Sequence, residues 1–409
     1  MRRIATLAAV VAVVATAFVA RSAAAIEIGA IYPTGGSHGR GGQDEWRGAS
    51  MAAEYVNARG GVNGRPVRLV LEPAESSDQA PGAVRRLAAR GVPAIVGSYG
   101  STISAPAAGE ASRAGIVFFE TGAVGKLSMA ATDTDLVFRF PPTGAHLGSA
   151  AVAFARDQLM PVMKRDPRSL RYAVTYVDDV YGRAVGDGAA DEIRRDGLTL
   201  AGVFPYVVGG DYAALVRRIA ASRADVLLVS AYLQDGIAIR KETVAQRLPL
   251  LASVGTSSSY CMHEFGAALG DAAVGLFASD KPDGHVLDPT RLTSQAAEAL
   301  QWSRDEFERR YDHEMTAAAL TGFSGTFALL AHALPAAAAL TPAGIADALR
   351  ATRIEQGALP NGSGMGFEAG SSQNLLATSV IWQWTAPFTR TVVWPPQFAT
   401  GSILPLPIA

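Results

Sequence analysis

Short apolar segments alternate with helical segments along most of this chain. The stretch "VPAIVGSYGSTISAPAAGEASRAGIVFFETGA", from Val92 to Ala123, contains an apolar strand, a polar loop, a helix and a second strand. The second strand, "IVFF", is apolar throughout and lacks the alternation of a strand with one exposed face. This pattern indicates parallel strands joined by helices that cover both faces of a sheet, so the predicted fold class is α/β.

The alternation predicts two doubly wound parallel sheets. A first series of strands and helices runs from 26–32 to 116–119 and stops at "FRFPPTG", where Pro141 and Pro142 can continue neither a helix nor a central strand. A second series of strands is predicted after this stop, at 172–176, 199–204, 226–230, 250–254 and 273–278. A further strand-like segment at 375–384 lies in the tail, after several predicted helices. A chain of 409 residues is long enough for two such domains.

The N-terminus has the pattern of a secretory signal peptide. A basic start, Met1-Arg2-Arg3, is followed by an uncharged apolar stretch at 4–20 and then by Ala23-Ala24-Ala25. We expect residues 1–25 to be a signal peptide cut after Ala25, which places the protein in the periplasm. The residue directly after that site is not a Cys, which argues against a lipid anchor. No later segment is expected to cross a membrane.

Composition excludes several classes of partner and site. The net charge of −1 argues against a nucleic-acid partner, because such proteins usually carry a basic face. The only cysteine, Cys261, allows no intramolecular disulfide. The six histidines are scattered without metal-ligand spacing, so we predict neither a metal nor a cofactor.

Polar loops follow the predicted strands at 94–97 and 116–119. The first loop reads "GSYGSTIS" and leads directly into a helix, whose first N–H groups lack partners within the helix and carry a partial positive charge. Open parallel sheets bind ligands beyond the carboxyl ends of their strands, and Gly and Ser let a ligand approach the backbone closely. These loops therefore predict a site for a small polar ligand.

Four segments carry a resemblance to a known family: "IEIGAIYPTGG", "GASMAAEYVNARGGVNGRPVRLVLEP", the stretch from Val92 to Ala123, and "YVDDVYGRAVGDG". They resemble the branched-chain amino-acid type of periplasmic solute-binding proteins, which are type I Venus-flytrap receptors of ABC importers. The resemblance implies two hinged α/β lobes with crossovers near 140–143, Asp271 and 361–373. The first lobe would combine 26–140 with 272–360, and the second 141–271 with 374–409.

The resemblance also implies a set of ligand-binding residues. Ser101 matches a Ser that meets the ligand, Gly122 matches a position that binds it through a carbonyl, and Val124 stands where the family has a Thr. Tyr181 and Tyr232 match two Tyr of the second lobe. The expected set is completed by residues beside these positions or in the loop near the cleft: Tyr99, Thr102, Ala123 and His38.

One departure from the family concerns the acid that pairs with a ligand ammonium. That acid should fall near Thr256 or Ser257, where this chain has no carboxylate, whereas Glu120 stands at a position that is commonly Ser. Our hypothesis is that Glu120 supplies the counter-charge from the first lobe. The alternative is that Glu120 pairs with an internal Arg, such as Arg113 or Arg139, or with loop amides, since a buried carboxylate needs a partner.

The function implied by the resemblance is capture of a small molecule, an amino acid or an amide- or amine-like solute, without catalysis. An inner-membrane ABC permease would be the partner, and a monomer is expected. One alternative is a ligand sensor that acts on a receptor with the same fold. A hydrolase-type enzyme is a further alternative, because residues 35–39 fit the pattern Gly-x-Ser-x-Gly, but here the Ser lies in a loop rather than in a tight strand-to-helix turn.

Overall fold

The structure is a computed structural model, and it describes residues 24–127, 135–368, 370–371 and 373–408. All but the last two residues of the predicted signal peptide lie outside these ranges. Two β-sheets with helices packed against them form the described chain, which confirms the predicted α/β class.

The first sheet has five parallel strands in the order β2-β1-β3-β4-β5. This order places β3 at the centre, and every residue of β3, β4 and β5 is buried, as expected when helices cover both faces. Its strands are β1 Ile26–Ile31, β2 Val67–Leu71, β3 Ala94–Gly97, β4 Val117–Glu120 and β5 Val137–Arg139. The sequence analysis does not predict β5, which has only three residues.

The second sheet has seven strands in the order β12-β11-β10-β9-β8-β6-β7. Five of them are parallel, and β11 and β12 add an antiparallel edge. The strands are β6 Arg171–Val177, β7 Thr199–Tyr206, β8 Val226–Ser230, β9 Ala252–Thr256, β10 Phe277–Asp280, β11 Val380–Ala386 and β12 Thr389–Trp394. The strand-like tail segment predicted at 375–384 overlaps β11, and β12 is not predicted from the sequence.

Helices connect the strands, and many of them begin at a Thr or Asp. The side chains of Thr143, Asp179, Asp211 and Thr316 each accept a hydrogen bond from a backbone N–H of the first helical turn, which satisfies a donor that the helix itself leaves free. The helices are α1 Gly39–Asn57, α2 Ala80–Ala89, α3 Ser101–Arg113, α4 Gly144–Phe154, α5 Met160–Val162, α6 Val180–Arg195, α7 Tyr212–Ala221, α8 Leu233–Ala245, α9 His263–Leu269, α10 Ser294–Tyr311, α11 Ala317–Phe327, α12 Leu334–Ala336 and α13 Pro342–Ala351.

One helical stretch, Ala317–Ala336, is long and apolar enough to span a membrane by length and composition. It contains α11, which packs against α1, and 83% of its most apolar window is buried inside the protein. Glycines make this packing close, because a Cβ on Gly48 would lie 1.9 Å from the carbonyl oxygen of Ala319. The stretch is therefore a core helix of the first unit.

The chain passes between the two sheets at three places. After β5 it runs through 140–143 into α4, which packs against α6 of the second unit. It returns after β10 at Lys281, and it passes a third time before β11. Asn374 holds the first and third passages together: its Nδ2 donates to the carbonyl oxygens of Phe140, at 2.9 Å, and Gly364, at 2.8 Å.

The position of the second passage corrects the predicted lobe boundary. The sequence analysis assigns residues from 272 onward to the first lobe, with a crossover near Asp271. The structure places β10 in the second sheet instead, between β9 and β11, with Phe277 opposite Val254. All four residues of β10 are buried because they cover what would otherwise be the open edge of β9, so the chain leaves this sheet only after Asp280.

Candidate functional site

The carboxyl ends of strands from both sheets surround a cavity of about 290 Å³. The second unit contributes Tyr181, Tyr232, Ser257 and Ser258, and Lys281 reaches the cavity from the second passage. The first unit contributes His38, Tyr99, Gly100, Ser101, Gly122 and Val124. We call this space the smaller cavity. Because its wall combines residues from the loops of both units, it is a candidate ligand site.

Seven of the ten predicted ligand-binding residues lie at the smaller cavity: His38, Tyr99, Ser101, Gly122, Val124, Tyr181 and Tyr232. The structure therefore brings together residues that are as much as 194 positions apart in the sequence (from His38 to Tyr232). Thr102, Glu120 and Ala123 are not part of its wall. The oxygen Oγ1 of Thr102 lies 3.5 Å from Nε2 of His38, and the N–H of Ala123 is used inside the protein.

Ser101 is the first residue of α3, and its side chain is nearly buried. Its Oγ accepts a hydrogen bond of 2.9 Å from the backbone N–H of Gly125, so its own hydroxyl hydrogen is available to a ligand acceptor. A Cβ on Gly125 would lie 2.7 Å from this oxygen, so the loop approaches closely because Gly is there. The start of α3 adds a partial positive charge to the same wall.

Glu120 is satisfied inside the protein and lies outside the wall of the smaller cavity, so this geometry gives no support to the hypothesis that it contacts the ligand. The carboxylate is fully buried and accepts hydrogen bonds from the N–H groups of Ser98, at 2.9 Å, and of Gly122 and Ala123, at 2.7 Å each. The hydroxyl of Ser104 donates a fourth. The alternative of pairing with loop amides is therefore the one that the structure supports.

Neither arginine considered as a partner forms an ion pair with Glu120. Arg139 is buried and donates from Nη1 to the carbonyl oxygen of Val124, at 2.9 Å, and from Nη2 to that of Gly125. Burial lowers the pKa of Arg139 to about 10, although the negative charge of Glu120 opposes this change. Arg113 lies at the surface and pairs with a Glu of its own helix. Arg139 thus fixes the shape of the loop that carries Gly122.

A second buried carboxyl, Glu45 on α1, lies close to Glu120. Burial raises the pKa of Glu120 to about 7, against the opposing effect of its four hydrogen bonds. Burial and the charge of Glu120 raise the pKa of Glu45 well above its usual range. Glu45 accepts one hydrogen bond of 2.7 Å, from Oγ1 of Thr121. Because Glu120 has more donors, it loses its proton first and Glu45 remains neutral.

The two predicted tyrosines of the second unit use their hydroxyl hydrogens within the protein. The hydroxyl of Tyr181 lies 2.7 Å from the carbonyl oxygen of Ser257 and 3.0 Å from that of Thr256. The hydroxyl of Tyr232 donates to Oδ2 of Asp179, at 2.5 Å. The centres of the two rings are 5.4 Å apart. The second unit therefore offers aromatic surface to the cavity, and its hydroxyl donors are already committed.

Lys281 is a cavity residue that the sequence analysis does not single out. It follows β10 directly, its side chain is buried, and its Nζ donates to the carbonyl oxygen of Gly122 at 3.0 Å. The sequence contains a signal for it, the charged segment "SDKPDG" after an apolar strand. That signal is readable only when β10 is placed in the second sheet, whose strand ends face the cleft.

A larger cavity of about 1090 Å³ adjoins the smaller one and shares Tyr99, Ser257, Ser258 and Lys281 with it. Apolar, acidic and basic side chains line the rest of it, among them Met262, Met315, Asp280 and Arg390. Atom Oδ1 of Asp280 is buried and, within the described part of the chain, has no hydrogen-bond partner.

Direct contacts join the two units across the cleft. Arg40 on α1 forms an ion pair with Glu264 on α9. The hydroxyl of Tyr99 lies 3.4 Å from Oγ of Ser258. Lys281 adds a hydrogen bond to the carbonyl oxygen of Gly122 in the first unit. The two walls of the cleft are therefore in direct contact.

The described residues contain no group of three or more His, Cys, Asp or Glu side chains that could hold a metal ion. Ser37, at the centre of the Gly-x-Ser-x-Gly pattern, lies exposed in a short 3₁₀ turn before α1. A nucleophile elbow requires a tight turn directly between a strand and a helix, and this geometry does not provide one.

Comparison with known proteins identifies the family. The chain is 29% identical over 378 residues to the Leu/Ile/Val-binding protein homolog 8 of Brucella suis biovar 1 (strain 1330), covering 91% of each chain. A putative branched-chain amino acid ABC transporter from Silicibacter pomeroyi superposes with a TM-score of 0.76 at 19% identity, over 94% of this chain and 100% of the other.

A substrate-binding protein of a branched-chain amino acid transporter from Streptococcus pneumoniae, solved in complex with isoleucine, superposes with a TM-score of 0.72 at 20% identity, over 91% of this chain and 100% of the other. Residues 25–374 match the family described as periplasmic binding protein, which is well over half of the 409 residues. The resemblance seen in the sequence is confirmed at the level of the family: the chain belongs to the periplasmic binding proteins, which bind solutes and are not enzymes.

Proposed function

We propose that this protein captures an amino acid or a related small nitrogenous solute by closing its two units around it. The observation that carries the proposal is the smaller cavity, whose wall combines Ser101 and Gly122 of the first unit with Tyr181 and Tyr232 of the second. A solute held there touches both units at once and so stabilises the closed arrangement over the open one.

The closed complex would then be delivered to a permease of an ABC importer in the inner membrane. The family supports this step, and so does the isoleucine bound by the pneumococcal neighbour. Export fits the same picture: a signal peptide cut after Ala25 would leave a chain that begins with β1. We expect the exported protein to act as a monomer.

A thermal-shift screen of the processed protein, purified from the periplasm, tests the proposal. The compounds are the common amino acids, their amides, simple amines and the matching carboxylic acids. A ligand at 100 times its Kd stabilises the fold by about 2.7 kcal/mol, which raises the melting temperature measurably. Small-angle scattering with the best compound should then show a smaller radius of gyration. A screen in which no compound raises the melting temperature contradicts the proposal.

A further inference from the structure

The buried ammonium of Lys281 lies in the cleft with little to balance its charge. Lys281 is 4% exposed, and its Nζ makes one hydrogen bond, to the carbonyl oxygen of Gly122. An ammonium has three donors, so two remain unused. Among the residues that the structure describes, no carboxylate lies within ion-pair distance of Nζ; Asp283 pairs with Arg390 instead, at 2.7 Å.

The other titratable groups near the smaller cavity do not supply the missing negative charge. Glu45 is the acid that interacts with Lys281 through space, but burial and Glu120 raise its pKa and keep it neutral. His38 is the other basic group in the wall, and burial lowers its pKa despite the nearby charge of Asp179. The wall itself contains no acidic residue, and Asp280, whose negative charge acts on Tyr99 and Tyr181, lines the larger cavity instead. Lys281 is therefore a cationic side chain of this wall with no acid in the same wall.

A buried ammonium without a counter-charge is unfavourable, because burial removes its water and returns only one hydrogen bond. An anionic group in the smaller cavity would remove this penalty. Ser101, the first residue of α3, lines the same cavity, its hydroxyl hydrogen is a donor suited to an anion, and the start of α3 adds a partial positive charge there. Donors from Lys281 and from α3 thus converge on one space.

An ammonium group beside that anion would find no acidic partner in the wall of the smaller cavity. The carbonyl oxygen of Gly122 keeps one lone pair after accepting from Lys281, but a neutral acceptor does not balance a second positive charge. An α-ammonium would lie near Nζ of Lys281, where like charges repel. The unpartnered Oδ1 of Asp280 belongs to a residue that lines the larger cavity and not the smaller one.

We propose that Lys281 binds the carboxylate of a solute that has no charged ammonium next to that carboxylate, such as a deaminated or N-acylated relative of an amino acid. The body of the solute fills the larger cavity, which shares Lys281 and Tyr99 with the smaller one. This inference rests on the proposed capture of a small solute between the two units, and in place of the amino acid itself it assigns an acid derived from one.

The test uses four matched probes: leucine, 4-methylpentanoate, N-acetylleucine and leucinamide, with the corresponding phenylalanine set for a larger body. Affinity is measured by calorimetry on the processed wild type. The two acids without an ammonium should bind at least ten-fold more tightly than the amino acid, and the amide should bind most weakly. Tighter binding of the amino acid than of both acids overturns the inference and leaves the proposed function intact.

Variants locate the effect at Lys281. Lys281→Gln should weaken the binding of the two acids at least ten-fold, while Lys281→Arg, which keeps the charge, should retain part of the affinity. Lys241→Gln, at an exposed position of α8, is the matched control and should change nothing. Melting temperatures and circular dichroism show that each variant is folded.

Unchanged acid affinity in a folded Lys281→Gln protein overturns the inference. If that variant does not fold, the comparison of Lys281→Arg with the wild type decides: a folded protein that retains at least part of its affinity for the acids and gains none for leucinamide agrees with the inference, and a complete loss of acid affinity or a gain for leucinamide overturns it. Absence of binding by every probe, in a folded wild type that also fails the wider screen, rejects the proposed function and this inference together.

Discussion

Two strand ends, one in each sheet, both place a buried acid at the edge of the cleft. Glu120 ends β4 and Asp280 ends β10, and both are at most 2% exposed. Glu120 accepts four hydrogen bonds, whereas Oδ1 of Asp280 has no partner among the described residues. An acid in the same topological position can thus be fully hydrogen-bonded in one unit and keep an unpartnered oxygen in the other.

The chain that follows each acid explains the difference. After β4 the loop turns back, so that the N–H groups of Gly122 and Ala123 point at the carboxylate of Glu120. Pro282 lies two positions after Asp280, the last residue of β10, and it has no N–H to donate. Beyond it, the N–H groups at 285 and 286 donate to the side chain of Asp283 and so are unavailable to Asp280.

Replacing Glu120 should produce the largest loss of stability. Glu120→Gln keeps one acceptor oxygen but places an NH₂ group among the buried donors that now bond to a carboxylate. We expect the free energy of unfolding to fall by about 3 kcal/mol or more, as for other buried charged hydrogen-bond networks that lose a partner. Urea unfolding followed by circular dichroism measures this change.

The control for this variant is Glu298→Gln, which removes an exposed carboxylate that pairs with Arg59. It should leave the free energy of unfolding nearly unchanged, because exposed ion pairs contribute little. Equal unfolding curves for Glu120→Gln and the wild type would show that the four hydrogen bonds of Glu120 are not part of the scaffold.

Replacing Asp280 should have the opposite sign. Asp280→Asn removes a buried charge whose Oδ1 is unpartnered, so we expect the free energy of unfolding to stay the same or to rise, by up to about 2 kcal/mol. Asp283→Asn, three residues further on, is the matched control: it breaks a buried pair with Arg390 and should destabilise the protein. A large loss of stability in Asp280→Asn would remove the contrast between the two strand ends.

The sequence predicts the fold well where the signal is local. The helix that became α3 and the strands β3 and β4 follow from apolar runs separated by Gly and Ser, and seven of ten predicted site residues lie at one cavity. Strand β5 was missed because three residues carry no periodicity. The membership of β10 was misjudged because pairing with β9 and β11 is a contact between distant segments, which no local pattern encodes.

The chemistry of the site was harder to predict than its location. A Tyr in the right loop can be named from the sequence, but whether the hydroxyl of Tyr232 meets a ligand or Asp179 depends on the packing of two loops. The same holds for Glu120, whose partners come from both loops at the end of β3 and β4. Lys281 cannot be assigned to the cleft from the sequence alone, because its position depends on the sheet to which β10 belongs.

A pH dependence of stability separates Glu120 from its neighbour Glu45. Folding raises the pKa of Glu120 from an ordinary value of 4.5 to about 7, so the folded state binds its proton more tightly than the unfolded state. The contribution of this group to stability is therefore fully present below about pH 4.5 and is lost as the pH rises to about 7, with a slope of at most about 1.4 kcal/mol per pH unit.

Glu45→Gln should remove a second contribution to the slope, because the raised pKa of Glu45 keeps its proton bound in the folded state while the unfolded state releases it above about pH 4.5. Glu120→Gln should remove only the contribution that ends near pH 7. Unfolding measured in urea at half-unit steps from pH 4.5 to pH 8 gives both profiles, and the difference from wild type cancels the groups that the variants share. Above about pH 7 the slope should therefore persist in Glu120→Gln and fall in Glu45→Gln. An unchanged slope above pH 7 in Glu45→Gln would contradict the raised pKa of Glu45, and with it the neutrality of Glu45 that leaves the charge of Lys281 unbalanced.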